Sequence, residues 1–174
     1  AVNVLFGFFI LPESLKDSNK RPFGRRDLNP FGSIARAFLI PGLAIPLICI
    51  FVLEFSNMVY ATLWAFWGRE VFGWDGFTIG LSLSAYGILI AIGQAFILPQ
   101  LTKRFGDYNT LLLATAAGII GLVGFGFSTT TIAVALILPI ASLADMAPPL
   151  MTAFAANRVG EDQQGLVQGV IASL

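Results

Sequence analysis

Two carboxylates, Glu54 and Asp145, stand inside long apolar runs, LICIFVLEFSNMVYATLW and LILPIASLADMAPPL. An acid placed in hydrocarbon costs ~3 kcal/mol on insertion scales, so it faces a cavity or a partner. No Lys or Arg falls within the apolar spans of this chain, which leaves no internal ion-pair partner for either acid. Each is therefore expected to carry a proton part of the time, or to pair with another part of the protein or a cationic substrate. Asn57 and Met58 follow Glu54 by three and four residues, and Phe51 precedes it by three, placing all four near one helical stripe. An acid, an amide, a thioether and an aromatic ring together suit an amphipathic drug in a cavity. Asp145 is followed by Pro148 and Pro149, which remove backbone donors and bend or loosen the helix that carries it. That makes Asp145 a candidate gate or proton site. Tyr86 and Gln94 are further polar side chains able to line a cavity. The plainer readings are a Glu54 wetted at the outer interface and an Asp145 at a helix end bent toward water.

Other chemistries lack their residues. The chain has no histidine, which removes His-based catalysis and most zinc sites. Its single cysteine, Cys49, lies in an apolar run, so no disulfide or thiolate metal centre is expected within it. No paired acids or Ser/Lys arrangement stands at a spacing suited to an intramembrane enzyme. No metal, cofactor or nucleic-acid partner is expected, and net charge is zero.

The elements that must position these residues follow from composition. Of 174 residues, 56% are hydrophobic and 11% charged; a soluble domain carries roughly 25% charged residues. The charges gather in short segments between apolar runs, a pattern that belongs to a lipid bilayer. Crossing a bilayer core takes roughly 20 apolar residues in a helix. Runs at about 38–60, 78–98, 110–127 and 131–156 meet or approach that length, which predicts an all-α membrane protein. Residues 1–11 read as the end of an earlier span, and 165–174 as the start of a later one. The expectation is four whole and two partial spans, with no signal peptide recognisable. Gly118, Gly121 and Gly124 form a small-residue face for close helix packing, and Gly165 and Gly169 another. Glu161 and Asp162 precede the last helix and suit its positive end.

Lys and Arg in the connections set orientation. Lys16, Lys20, Arg21, Arg25, Arg26 and Arg36 lie in segment 12–37, Lys103 and Arg104 in 99–109, and Arg158 in 157–164. The alternate connections hold Arg69 alone, so nine basic residues stand against one. Loops 12–37, 99–109 and 157–164 are therefore expected on the cytoplasmic side. Segment 12–37 holds three prolines, two glycines and nine charges and separates two helix bundles. It reads as a solvated linker, or, toward 29–38, as a short amphipathic helix lying in the interface.

Residues 99–111, PQLTKRFGDYNTL, resemble the loop signature G-x-L-x-D-R-x-G-R-K-x-x-L of the major facilitator superfamily. Leu101, Arg104, Gly106 and Leu111 match; Pro99, Lys103 and Asp107 depart from it, as the copy in the second half of such transporters does. Gly106 suits a tight turn, and Arg104 can reach carbonyls or a carboxylate at a helix end, making Leu101, Arg104, Gly106 and Asp107 a candidate gating loop. The stretches Leu11-Pro-Glu-Ser-Leu, Arg21-Pro-Phe, Phe72-Gly-Trp-Asp75, Asn157-Arg-Val-Gly160 and Gln164-Gly-Leu-Val-Gln-Gly169 are similar to the tetracycline-resistance branch.

That resemblance implies twelve spans in two six-helix bundles and proton-driven export of an amphipathic drug, such as tetracycline, by alternating access. It makes residues 1–11 the end of the sixth span, 12–37 the interdomain loop, and 38–174 part of the C-terminal bundle, spans seven to ten and the start of eleven. The partners it implies are the lipid bilayer, a small-molecule drug, protons and an N-terminal six-helix bundle, in the inner membrane of a bacterium. It also places Glu54 where the seventh span holds substrate-contacting polar residues, as an acid in place of the more usual amide. A metabolite or sugar permease of the same superfamily is the alternative.

Overall fold

The computed structural model describes residues 30–160 and 163–173. The expected end of an earlier span at 1–11, most of the linker, Glu161 and Asp162 lie outside the described residues.

A short helix, α1 (Pro30–Leu39), comes first and carries Arg36 in its last turn. Its inner side, around the buried Ala37, joins Leu43, Leu47, Ile50, Met151, Ala155, Val167 and Val170 in one apolar cluster. Pro41-Gly42 then turns the chain into α2 (Ala44–Phe72). This helix runs well past the expected end of the span at residue 60, because Ala61 to Phe72 offer no proline and their charges, Arg69 and Glu70, come only near the helix end. Its 29 residues measure about 43 Å at 1.5 Å per residue, longer than the ~30 Å hydrocarbon core. Arg69 and Glu70, expected in a loop, thus ride the emerging helical end. Gly73 closes α2 at φ 66°, its N–H bonding to the Arg69 carbonyl.

The connection to α3 (Gly76–Ile92) is only three residues long. Asp75 caps α3, its carboxylate accepting from the Thr78 N–H at 2.8 Å. The Thr78 hydrogen bonds hold this exposed carboxyl below its ordinary value. A π-type turn, Gly93–Ile97, leads into α4 (Leu98–Phe127). Pro99 explains the turn: it has no N–H for the Ala95 carbonyl, and its ring crowds that carbonyl. The helix widens instead, and the Leu98 N–H reaches back five residues to Gly93.

Within the run labelled α4, Gly106 takes φ 78°, ψ 165°, a region essentially reserved for glycine. Helix therefore extends through Phe105 and restarts at once; the expected loop at 99–109 shrinks to this single hinge. The stretch Gly76–Phe127 has 52 residues, enough for about 78 Å if straight, so the break at Gly106 divides it into two crossings. With α2 and the stretch Thr131–Ala156, the described residues contain four crossings.

The last crossing is composite: α5 (Thr131–Ser142), a 3₁₀ turn (Leu143–Met146) and α6 (Ala147–Ala156). A short helix, α7 (Gln164–Ile171), follows and is eight residues long, its Val167 and Val170 in the same apolar cluster as Met151 and Ala155 of α6. Helices α4 and α5 meet closely, a Cβ on Gly121 falling 2.7 Å from the Cβ of Ala141. Gly165 and Gly169, expected to pack likewise, face open space.

Much of the surface is large and apolar: Phe66, Phe77, Phe127, Ile132 and Leu136 are each more than 70% exposed. In water this would be an aggregation hazard; in a bilayer it is the lipid-facing side. Ser56, Thr62, Ser84 and Thr115 turn their hydroxyls back to carbonyls four residues earlier, so they reach lipid or cavity already paired. Among the described residues, no buried side-chain nitrogen or oxygen lacks a partner.

Candidate functional site

Helix α2 packs on α6 near its start and on the Phe125 cluster near its end, and between these contacts a cavity of about 790 Å³ lies among α2, α3, α4 and the α5–α6 crossing. Leu53, Asn57, Tyr60 and Trp64 of α2 form one wall, at the spacing of a helical stripe. Leu83 and Tyr86 of α3, Thr115, Gly118, Leu122 and Phe125 of α4, and Ala144, Asp145 and Pro148 complete it. Among the described residues that line it, Asp145 carries the one carboxyl, and no Lys or Arg is present.

One end of the cavity is aromatic. The Trp64 ring lies edge-on to Phe125, centroids 5.3 Å apart, with Tyr60 stacked on it at 5.7 Å and Trp74 at 5.8 Å. Both indoles are tied: Trp64 Nε1 donates to Ser82 Oγ at 2.9 Å and Trp74 Nε1 to Thr131 Oγ1 at 2.8 Å. These bonds couple α2, the α2–α3 connection, α3 and α5 at that end.

Asp145 holds the opposite wall, in the 3₁₀ turn between α5 and α6. The turn is a consequence of Pro148 and Pro149. Pro148 denies a donor to the Ala144 carbonyl, which takes the Ala147 N–H at the tighter 3₁₀ spacing instead. Pro149 denies one to the Asp145 carbonyl. Two side chains from the second crossing meet Asp145 here. The Tyr86 hydroxyl donates to its carboxyl Oδ2 at 2.6 Å, and the Gln94 amide donates to its backbone carbonyl at 3.1 Å. A hydroxyl–carboxylate bond of that length is in the charge-assisted range. The site thus offers one carboxyl beside a phenol, facing a largely apolar chamber: it can hold a proton, or the positive end of an amphipathic molecule.

Of the side chains singled out in the sequence, Asn57, Tyr86 and Asp145 line this chamber, while Phe51, Glu54 and Met58 do not. The last three are exposed along α2. The reason is angular: three residues turn a helix by about 300° and four by about 400°, so Asn57 and Met58 sit on opposite sides of Glu54. The cavity takes only the Asn57 side. Phe51 touches the chamber indirectly, stacked at 6.3 Å on Phe55, which does line it. In the gating loop, Leu101 packs half-buried against the cluster of Ala114, Met146 and Ala147. Arg104 and Asp107 are exposed on either side of the Gly106 hinge, the Arg104 guanidinium lying 5.3 Å from the Phe105 ring centroid. Tyr60 and Phe125 of the aromatic end have no signal of their own in the sequence, and Trp74 enters there only in a stretch that carries the family resemblance, since an aromatic in a membrane span is most often packing.

Comparison with known proteins follows the same line. The family model for the Major Facilitator Superfamily matches residues 1–174. The chain is 33% identical over 173 residues to the tetracycline resistance protein, class C, of Escherichia coli, covering 99% of this chain and 43% of that protein. It is 33% identical over 147 residues to the class G protein of Vibrio anguillarum, covering 84% of this chain and 37% of that protein. Over 178 residues it is 22% identical to the Hippocampus abundant transcript 1 protein of Mus musculus, covering 99% of this chain and 36% of that protein. No solved structure matches. The chain spans about two fifths of the length of the curated relatives it matches first. With four apolar crossings, a glycine hinge between the second and third, and a family match along its whole length, the chain belongs to the major facilitator superfamily.

Proposed function

We propose that this chain is part of a proton-coupled exporter that moves an amphipathic drug, tetracycline or a similar molecule, by alternating access. The observation that carries the reading is the Asp145 carboxyl, bonded to Tyr86 on the wall of an apolar, partly aromatic chamber inside the bundle. The names of the similar proteins support the drug class. A carboxyl in this setting cannot cheaply hold a proton and the positive end of a drug at once, and that competition couples the two flows. Alternating access would rock this bundle against an N-terminal six-helix bundle around a site near the midplane. In this reading the protein sits in a bacterial inner membrane with segments 12–37, 99–109 and 157–164 on the cytoplasmic side, and Gly106 with Arg104 and Asp107 acts at the cytoplasmic gate. Its chemistry is transport, without a bond-making step. Asp145, rather than Glu54, is assigned the coupling, because Asp145 faces the chamber and Glu54 does not.

The test uses the complete protein in inverted membrane vesicles carrying a pre-formed proton gradient. Tetracycline with magnesium is added within a small drug panel, and a fluorescent dye follows the gradient. Drug-dependent collapse that vanishes in Asp145→Asn and survives in Glu54→Gln is the expected result. Collapse that survives in Asp145→Asn removes the coupling from this site. No collapse with any drug, in protein that is intact, removes the drug reading and leaves a permease for another cargo.

A further inference from the structure

Two irregular turns among the described residues, the π-type and the 3₁₀ turn, were each made by proline, and they lie against one another. Pro99 widens the chain into the π-type turn at Gly93–Ile97, and Pro148 and Pro149 tighten it into the 3₁₀ turn at Leu143–Met146. Gly93, which is buried, lies at their contact: a Cβ there would lie 3.1 Å from the Met146 Cε. Close approach brings Gln94, the next residue, over the Asp145 backbone. Pro149 occupies the position whose N–H would bond the Asp145 carbonyl in a regular helix, and it has none to give. The Gln94 amide supplies a donor at 3.1 Å. In a medium without water, a carbonyl deprived of its helical donor needs a substitute from a neighbouring helix.

We infer that Gln94 is a positioning residue for Asp145. Its amide holds the Asp145 backbone in the 3₁₀ turn, so that the carboxyl stays against Tyr86 on the chamber wall. Asp145 is thereby gripped twice from the same crossing, by Tyr86 at the carboxyl and by Gln94 at the carbonyl. This rests on the coupling role proposed for Asp145. It adds a role for a side chain that is exposed and outside the chamber lining. It also has a consequence no direct contact with drug would have: the need for Gln94 is created by Pro149. Returning an N–H at position 149 should make Gln94 dispensable.

The experiment is a cycle of Gln94→Met, which keeps length and volume but removes the donor, with Pro149→Ala, which restores the backbone donor. Both are made in the complete protein, alone and together, and read as tetracycline-dependent proton exchange in inverted vesicles. Gln94→Met alone is expected to lower the maximal exchange rate about tenfold, the upper end for a hydrogen bond between membrane helices. Half-saturation by tetracycline should stay unchanged. In the Pro149→Ala background the same Gln94→Met change is expected to cost less than about twofold. An equal loss in both backgrounds overturns the inference, as does a loss that appears as weaker tetracycline affinity. If Pro149→Ala alone stops transport, the same cycle is read as thermal midpoints of the detergent-purified protein. Non-additivity supports the inference there, and additivity overturns it. Asp145→Asn separates the two claims. Exchange surviving in that variant overturns the coupling reading, whereas its loss together with an additive cycle overturns the role of Gln94 alone.

Discussion

Replacing Gly121 by alanine perturbs a close crossing of α4 and α5. An added Cβ would lie 2.7 Å from the Ala141 Cβ and 2.9 Å from the Ala141 Cα. Comfortable carbon contacts start near 3.5 Å, so α4 and α5 must part locally by about 0.6–0.8 Å. The obstacle is a backbone carbon and its methyl group, and neither can swing aside. Overpacking of this kind costs about 1–3 kcal/mol, and alanine returns roughly 0.5–1 kcal/mol of it as lower helix-forming entropy. A net loss of about 1–2 kcal/mol is expected. Gly124→Ala should cost less, because the atoms it meets at 3.0–3.2 Å belong to the flexible side chain of Ile137. Gly126→Ala meets nothing within 4 Å and serves as the control. The assay is the thermal midpoint of the complete protein in mild detergent, with the three substitutions made singly. The order Gly121 worst, Gly124 intermediate, Gly126 neutral is expected. A Gly121→Ala midpoint indistinguishable from that of Gly126→Ala would refute the packing argument.

Three further outcomes follow from local geometry. Gly106→Ala forces a Cβ into a backbone region reserved for glycine while meeting no neighbour within 4 Å; a loss of about 1–3 kcal/mol, read as a lower thermal midpoint, comes from the backbone alone, and an unchanged midpoint contradicts the hinge. Thr131→Val removes the acceptor that holds the Trp74 indole and should cost about 1 kcal/mol; tryptophan emission that neither shifts nor becomes easier to quench counts against the tie. Asp75 carries a carboxyl held below its ordinary value by its bonds to Thr78, so its capping contribution is complete above the unfolded pKa of roughly 3.9 and fades as pH falls through the lower folded value. Protection of the amides at the start of α3, taken relative to their intrinsic exchange rate at each pH, should therefore fall only in that acid range, and Asp75→Ala should lower it at every pH; a wild-type cap lost already near neutral pH contradicts the assignment.

What was legible in the sequence was whatever depends on the kind of residue and its spacing along the chain. Long apolar runs without charge have one stable form in lipid, because each backbone group must bond within its own helix; this is why the runs at 78–98, 110–127 and 131–156 are helical, although helix also takes up most of the loop expected at 99–109. Gly106 could be singled out as a turn for the same local reason. Asp145 beside Pro148 and Pro149 announced an irregular, costly acid before any neighbour was known. The boundaries of α2 were less legible: Arg69 and Glu70 read as loop, yet helix persists to Phe72, since charges at a helix end can reach the headgroups without ending it.

The chamber and its membership were decided only by tertiary structure. Glu54, Asn57 and Met58 share a stripe in sequence, but a stripe is about 100° wide, and only the placement of α2 against its neighbours selects Asn57 and leaves Glu54 outside. Nothing in the chain order joins Tyr86 to Asp145, 59 residues apart, or Gln94 to a carbonyl on another crossing. Those pairings exist because two proline-made turns dock against one another, with Gly93 against the Met146 side chain. A lost helical hydrogen bond can be read from a proline in one dimension; the group that replaces it is set by which helix lies next to it in three.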